Sequence, residues 1–281
     1  MYAFHELEAP DNPSVIFRGI VGSHAYGTAN AASDTDVRGV FVVPSCEYVR
    51  LLPPPKQVSD ERNDRTYYSL LRFCELMSEA NPTTMEMLYL PADCILKTTP
   101  AFELLVKNRE MFISQRAVES HLGYAVSQIK KARGCNKRVW NPWPEKPPKR
   151  DEYEDAGAYR HAVKEHRQYW EWRRNRNEAR WMQQERGELD YDAKNMMHLT
   201  RILFSGENIV KNGEPIVRFE GKKLETLLSI RRGEWTFDEI MAHAEKIQAE
   251  IESGKGRLPV ESDKARIDAL IAEVMKVAEV S

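Results

Sequence analysis

IFRGIVGSHAYGTANAASDTDVRGVFVV, residues 16–43, is the stretch whose reading decides the fold. An apolar run from Ile16 to Val21, broken by Arg18 and Gly19, leads into Gly22-Ser23. Small and polar residues follow as far as Ser33-Asp34-Thr35-Asp36, and a second apolar run, Val37 to Val43, closes the stretch. Two apolar runs separated by a Gly/Ser turn predict strand, loop, strand, with the strands at 15–21 and 37–43. Asp34 and Asp36 stand two apart where the second strand starts, and on a strand residues i and i+2 share a face. The pattern therefore predicts two carboxylates side by side on one sheet surface.

Two neighbouring carboxylates repel, and one of them keeps its proton unless a cation lies between them. Oxygen-only ligands favour Mg²⁺, with Mn²⁺ as the alternative, and Mg²⁺ draws its remaining ligands from substrate phosphates. Gly22 lets a ligand approach the backbone closely, and Ser23 offers a hydroxyl and an N–H. That combination suits a triphosphate held over a metal pair, whose ions in such sites lie ~3.5–4 Å apart.

Gly22-Ser23 followed by Ser33-Asp34-x-Asp36 resembles the signature of the DNA polymerase β-type nucleotidyltransferase superfamily. The longer string GSHAYGTANAASDTDVRGV is similar to the RNA-repair nucleotidyltransferases found associated with RNA ligases, and Ala25-Tyr26-Gly27 narrows the resemblance to them. Three later segments resemble the same group: Asn81-Pro82 followed by Glu86-Met87-Leu88, Gly123-Tyr124-Ala125 with Gln128, and Tyr191-Asp192-x-Lys194 with His198 and Arg201. The resemblance implies an α/β (α+β) fold, a polymerase β-like palm with a mixed sheet, joined to a mostly helical second domain. It implies transfer of a nucleoside monophosphate from a nucleoside triphosphate to a hydroxyl, with an RNA 3′ end of tRNA type as the expected acceptor. An RNA ligase in the same pathway is the expected partner. It also implies a third carboxylate on a later strand, for which Asp64 is the candidate and Asp60 and Glu61 the rivals. Asp34, Asp36 and Asp64 are thus the expected catalytic and metal-holding set, with Gly22 and Ser23 on the nucleotide. A protein or small-molecule hydroxyl as acceptor, and a silent nucleotide- or RNA-binding module, are the alternatives.

The totals bound the class. In 281 residues, 41 Lys/Arg nearly balance 43 Asp/Glu, so any preference for a charged partner has to come from local segregation. Cys46, Cys74, Cys94 and Cys135 form no CxxC pair, which signals neither a zinc site nor a disulfide framework and leads us to expect a reduced, cytoplasmic protein. The first residues lack a basic stretch followed by an apolar one, and no window approaches 18 apolar residues, so no membrane association is expected.

Residues 1–13 read as an edge strand or a loose arm. Pro53-Pro54-Pro55 makes 44–59 a surface loop. The Thr/Tyr alternation of 60–69 predicts a strand starting near Asp64. Apolar spacing predicts helices over 70–77, 83–90, 101–107 and 116–133. A catalytic domain at about 1–100 and a helical domain over 101–281 follow. Residues 134–150 hold four prolines and read as a loop, and 151–188 as a long polar helical stretch. Together, 134–188 form a basic Trp/Arg-rich insertion. Across 130–186 there are sixteen Lys/Arg against nine Asp/Glu, with Trp140, Trp143, Trp170, Trp172 and Trp181 interleaved. Cations neutralise phosphates and flat rings stack on unpaired bases, which suits RNA; the same rings can equally pack into a core.

Lys194, His198 and Arg201 fall at i, i+4 and i+7, on one helix face. Three such groups on one stripe call for an anion opposite, and a triphosphate or an RNA end would supply it. All three are therefore candidate nucleotide-binding residues. Residues 206–220 read as a loop with a short hairpin. Helices over 222–230, 237–252 and 263–280 complete the chain.

Overall fold

The structure, a computed structural model, describes residues 2–140, 146–175, 186 and 188–280. Strands β1 (Val15–Val21), β2 (Asp36–Phe41), β3 (Gln57–Ser59), β4 (Arg65–Ser69) and β5 (Ile95–Thr98) form one sheet in the order β3-β4-β2-β1-β5. β1 runs antiparallel to β2 and β5, β3 antiparallel to β4, and β2 parallel to β4, so the sheet is mixed.

Alternation along the strands divides the side chains between two apolar clusters. Val40, Val42 and Tyr68 join the larger one, and Phe41, Val43 and Tyr67 the smaller. Gly39 interrupts β2 because the Tyr67 ring lies over it; a Cβ there would stand 2.4 Å from the ring. The smaller cluster is covered by the chain's own start. Residues 4–7 form a single turn, α1 (Phe4–Leu7), that buries Leu7. The Arg18 guanidinium donates to Leu7 O at 2.7 Å and Tyr67 Oη to Glu8 Oε1 at 2.6 Å. The leader is thus a tied-down helical turn, not an edge strand or a loose arm.

The larger face carries the helices. Between β1 and β2 lies one turn, α2 (Ser23–Tyr26). The chain continues through α3 (Leu70–Ser78), α4 (Pro82–Met87) and α5 (Pro100–Lys107). Ser69 caps α3 by accepting from Arg72 N, and Asn81 caps α4 by accepting from Thr83 N and Thr84 N. Phe17 of β1 stacks on Phe102 of α5 at 3.9 Å between ring centres. Then follow α6 (Gln115–Trp140), α7 (Ala156–Asn175), α8 (Ala193–Asn212), α9 (Gly221–Arg231), α10 (Phe237–Gly254) and α11 (Lys264–Val280). Helices α6, α9 and α10 pack around α8. Their buried residues, among them Val118, Leu199, Leu203 and Ile247, belong to the same cluster as Ile16 and Val40 of the sheet.

Several expected boundaries shift. The second strand begins at Asp36, and the strand expected over 60–69 is a turn at 60–64 followed by β4, with β3 inside the expected loop. Helix α6 runs on through Trp140, so the loop-like composition of 134–140 is helical. Helix α8 continues to Asn212, where Gly213 at φ 77 ends it. Gly206, which reads as a loop residue, sits inside α8 at a close helix contact, where a Cβ would lie 3.3 Å from Ile251 and 3.6 Å from His121. The side chains of Trp140, Trp143, Trp172 and Trp181 lie outside the described residues.

Candidate active site

The sheet register assembles the acids. β1 and β2 pair Val21 with Asp36, so Gly22, next along the chain, falls beside the Asp36 carboxylate. Gly22 has φ 71, and a Cβ on it would stand 2.7 Å from Asp36 Oδ2. Only glycine satisfies both the backbone and the close approach. On the other side β2 pairs with β4 in parallel, Val37 opposite Arg65. Val37 N donates to Asp64 O at 2.8 Å and the Arg38 guanidinium to the same oxygen at 2.9 Å. Asp64 is thereby set abreast of Asp36. The rival Asp60 instead closes the β3–β4 turn, accepting from Arg65 N at 3.2 Å, and Glu61 is exposed in that turn. Asp34 lies ahead of β2 in an exposed, irregular approach, so strand alternation is not what brings it near Asp36.

Asp36 nevertheless feels the neighbouring charges. Asp36 is half-buried, and burial pushes its carboxyl above the ordinary carboxylate range. Arg38 opposes that shift, Asp64 and Asp34 add to it by repulsion, and Lys194 draws it back. Lys194 is exposed in the first turn of α8, a helix capped by Asp192, whose side chain accepts from Asn195 N at 3.0 Å. A lysine from the helical half is therefore within electrostatic reach of acids from the sheet. Among the described residues no three carboxylate, imidazole or thiolate groups converge tightly enough to hold an ion by themselves. Mg²⁺ does not require that, since it binds through one or two carboxylates together with phosphate oxygens and water. The donors here, all oxygens and mutually repelling, fit such an ion.

The cationic stripe of α8 does not stay on one surface. Lys194 is exposed, His198 is half-buried, and Arg201 is buried. Arg201 Nη1 pairs with Glu86 Oε1 at 2.6 Å, and both side chains are about 6% exposed. The other carboxylate oxygen, Glu86 Oε2, accepts from Tyr26 Oη at 2.7 Å, and the guanidinium lies over the Tyr26 ring at 3.8 Å. The anion that Arg201 demands is therefore internal. The expectation that Arg201 binds phosphate meets a buried guanidinium that is already paired with a carboxylate inside the protein, which fits a positioning role. Glu86 is thus a buried polar anchor between the loop and α8.

The same loop is held from a second direction, which the sequence did not signal. Arg218 Nε donates to Ala25 O at 2.8 Å, Phe219 N to Tyr26 O at 3.1 Å, and an Arg231 nitrogen to Thr28 O. Gly27, at φ 78, passes so close to this segment that a Cβ would stand 3.2 Å from Phe219 O. These partners lie some two hundred residues downstream, and no local pattern marks them. His24 Nε2 and Thr28 Oγ1 are shielded from solvent without a protein partner, so the loop's polar capacity is not used up internally.

A mixed five-stranded sheet bearing a Gly-Ser turn against an Asp-initiated strand, with helices on its main face, defines a polymerase β-like α/β protein. Residues 1–273 match the RNA repair pathway DNA polymerase beta family, and the chain belongs to it. The chain is also similar to an uncharacterised 38.9 kDa protein from the nrdC–mobD intergenic region of Enterobacteria phage T4, at 26% identity over 129 residues. That similarity covers 41% of this chain and 38% of the phage protein, so the chain spans well under half of that relative's length. No solved structure gives a significant match. Among the described residues no helix is long and apolar enough to cross a membrane.

Proposed function

We propose that this protein transfers a nucleoside monophosphate from a nucleoside triphosphate to a hydroxyl at an RNA 3′ end, of tRNA type. The observation that carries the reading is that Asp34 and Asp64 from the sheet side and Lys194 from α8 all act on the half-buried Asp36 carboxyl, which lies beside Gly22. Asp34, Asp36 and Asp64 would hold Mg²⁺ or Mn²⁺, which when bound supplies charge stabilisation at the attacking and leaving oxygens. Gly22 admits the phosphates to within van der Waals reach of the backbone, and Ser23 offers them a hydroxyl and an N–H. Lys194 neutralises phosphate charge from the helical side, with His198 one turn behind it. The acceptor hydroxyl bonds to the α-phosphorus as the α–β anhydride breaks and pyrophosphate leaves; the hydroxyl proton passes to a carboxylate or to water. An end so extended is a substrate for strand joining, which fits an RNA ligase as the following activity.

The test is incubation with Mg²⁺, each labelled triphosphate in turn, and bulk RNA. Label in RNA and free pyrophosphate are expected, and Asp36→Asn should lower the rate by at least about a hundred-fold, since it removes a carboxylate that would hold the metal ion. Label appearing in protein instead would assign the same site to adenylylation. Turnover of no triphosphate would overturn the transferase reading.

A further inference from the structure

Among the described side chains, helix α7 adds none to the core. None of the described residues from 146 to 175 belongs to either apolar cluster. Its outward face has a composition that solvation alone does not require. Arg160, Lys164 and Arg167 recur at i, i+4 and i+7, so they lie on one face, and all three are exposed. At about 100° per residue, Tyr159, Val163 and Trp170 fall alongside them on the same face. Val163 and Trp170 are exposed large apolar side chains, at 40% and 38%. Glu165 falls on the far side of the helix, paired with His161 at 3.6 Å, and Glu171, four positions after Arg167, is the acid whose place in the sequence falls in line with the cation row. Of the acids ahead of the helix, Glu152 accepts from Lys149 N and Asp155 from Ala158 N, so both are committed to capping turns.

Two of the rings are held in place. Trp170 Nε1 donates to His166 Nε2 at 2.9 Å, one turn earlier. Tyr159 packs against Tyr153 with ring centres 6.0 Å apart, and the Arg150 guanidinium lies 6.0 Å from the centre of the Tyr159 ring. A row of cations with oriented aromatic faces beside it matches a polyanion with flat, unpaired bases. A duplex, whose bases are stacked within, would engage the cations but leave the rings idle.

We propose that this face of α7 is a docking strip for single-stranded RNA: Arg160, Lys164 and Arg167 track the phosphates, and Trp170 and Tyr159 offer stacking faces. This deepens the RNA-acceptor reading and rests on it. The strip would hold the strand whose end is extended, and it would do so without reading sequence.

The experiment is fluorescence anisotropy of the full chain with a labelled single-stranded RNA, titrated across salt, for wild type, Arg160→Ala/Lys164→Ala/Arg167→Ala and Trp170→Ala. Removing three phosphate contacts should weaken binding about ten-fold or more and flatten the log–log salt dependence by about two. Trp170→Ala should weaken binding about five-fold or more with the salt slope kept, because stacking is not ionic. Arg160→Lys/Arg167→Lys should keep the wild-type slope, which separates lost charge from lost structure. Unchanged affinity and slope in the triple variant, absence of RNA binding by wild type, or tighter binding of duplex than of single strand would each overturn the proposal. Binding through the strip without transfer sinks the transferase reading alone, whereas transfer that ignores the strip variants sinks the strip alone.

Discussion

Glu86 carries more of the site than its place outside the cleft suggests. One carboxylate oxygen pairs with Arg201 and the other accepts from Tyr26, the last residue of the turn that Ser23 begins. Arg201 sits on α8, the helix that carries Lys194 two turns earlier. A buried ion pair is a weak source of stability, because desolvation takes back most of the attraction. Its effect here is geometric: it joins the loop that would take the phosphates to the helix that would neutralise them. Removing one partner strands the other charge in the core. Glu86→Ala is therefore expected to lose about 3–5 kcal/mol in urea unfolding, as does the loss of one member of a buried pair. Glu86→Leu/Arg201→Met together should lose markedly less than Glu86→Ala, yet bind triphosphate more weakly than wild type, because Tyr26 has then lost its acceptor. Equal stability losses in the single and double variants would overturn the account of a stranded charge.

Helix α6 brings a second buried ionisable group beside that pair. His121 is fully enclosed, with Nδ1 at 2.8 Å from Ala117 O and Nε2 without a partner. Burial holds its imidazole below the ordinary range, opposed by the hydrogen bond to Ala117 O and by Glu86. The folded chain therefore prefers the neutral ring, while the unfolded chain takes up a proton near pH 6.5. Stability from this helix is fully present above that pH and is lost as pH falls from there through the lower folded value. His243 on α10, also held low by burial, contributes a slope of the same sign. Urea midpoints measured from pH 7.5 down to 5 should fall for wild type and fall less steeply for His121→Gln; parallel curves would place the loss elsewhere. The elements themselves were largely legible, because apolar runs and 3.6-residue spacing report burial directly: β1, α3, α5, α9 and α11 lie within a residue or two of their expected bounds. The misreadings share a cause. Gly206 looks like a loop residue by propensity, but tertiary packing holds it inside a helix where Ile251 and His121 need the space. The acids at 34 and 36 were legible as a motif, whereas the parallel pairing that sets Asp64 beside Asp36 depends on a register no single strand encodes. Arg201 shows the limit most clearly. Its spacing called correctly for an opposing anion, but that anion is Glu86, 115 positions away, and local periodicity cannot point to it.

Across the whole molecule, the two long helices that differ most in their setting are α7 and α8, each 20 residues in length. Isolated helices of that length are marginal in water, and their stability in proteins comes mostly from packing an apolar face. α8 buries Met196, Leu199, Ile202, Leu203 and Ile209 in the cluster shared with the sheet, so opening it means opening the core. α7 supplies no residue to that cluster among those described, and its opening leaves the core intact. Local opening free energies range from near zero up to the global value, commonly about 5–15 kcal/mol, according to how much each segment shares in the core. Hydrogen exchange followed by mass spectrometry should therefore find α7 peptides exchanged within minutes at neutral pH while α8 peptides remain protected for hours. Glu86→Ala should accelerate exchange in α8 and leave α7 unchanged, since the stranded charge lies in the core that α8 shares and α7 does not. Protection of α7 equal to that of α8 in the free protein would mean that its basic, aromatic face is already covered. A face so covered could not receive an RNA strand, so the same measurement bears on the docking strip before any nucleic acid is added.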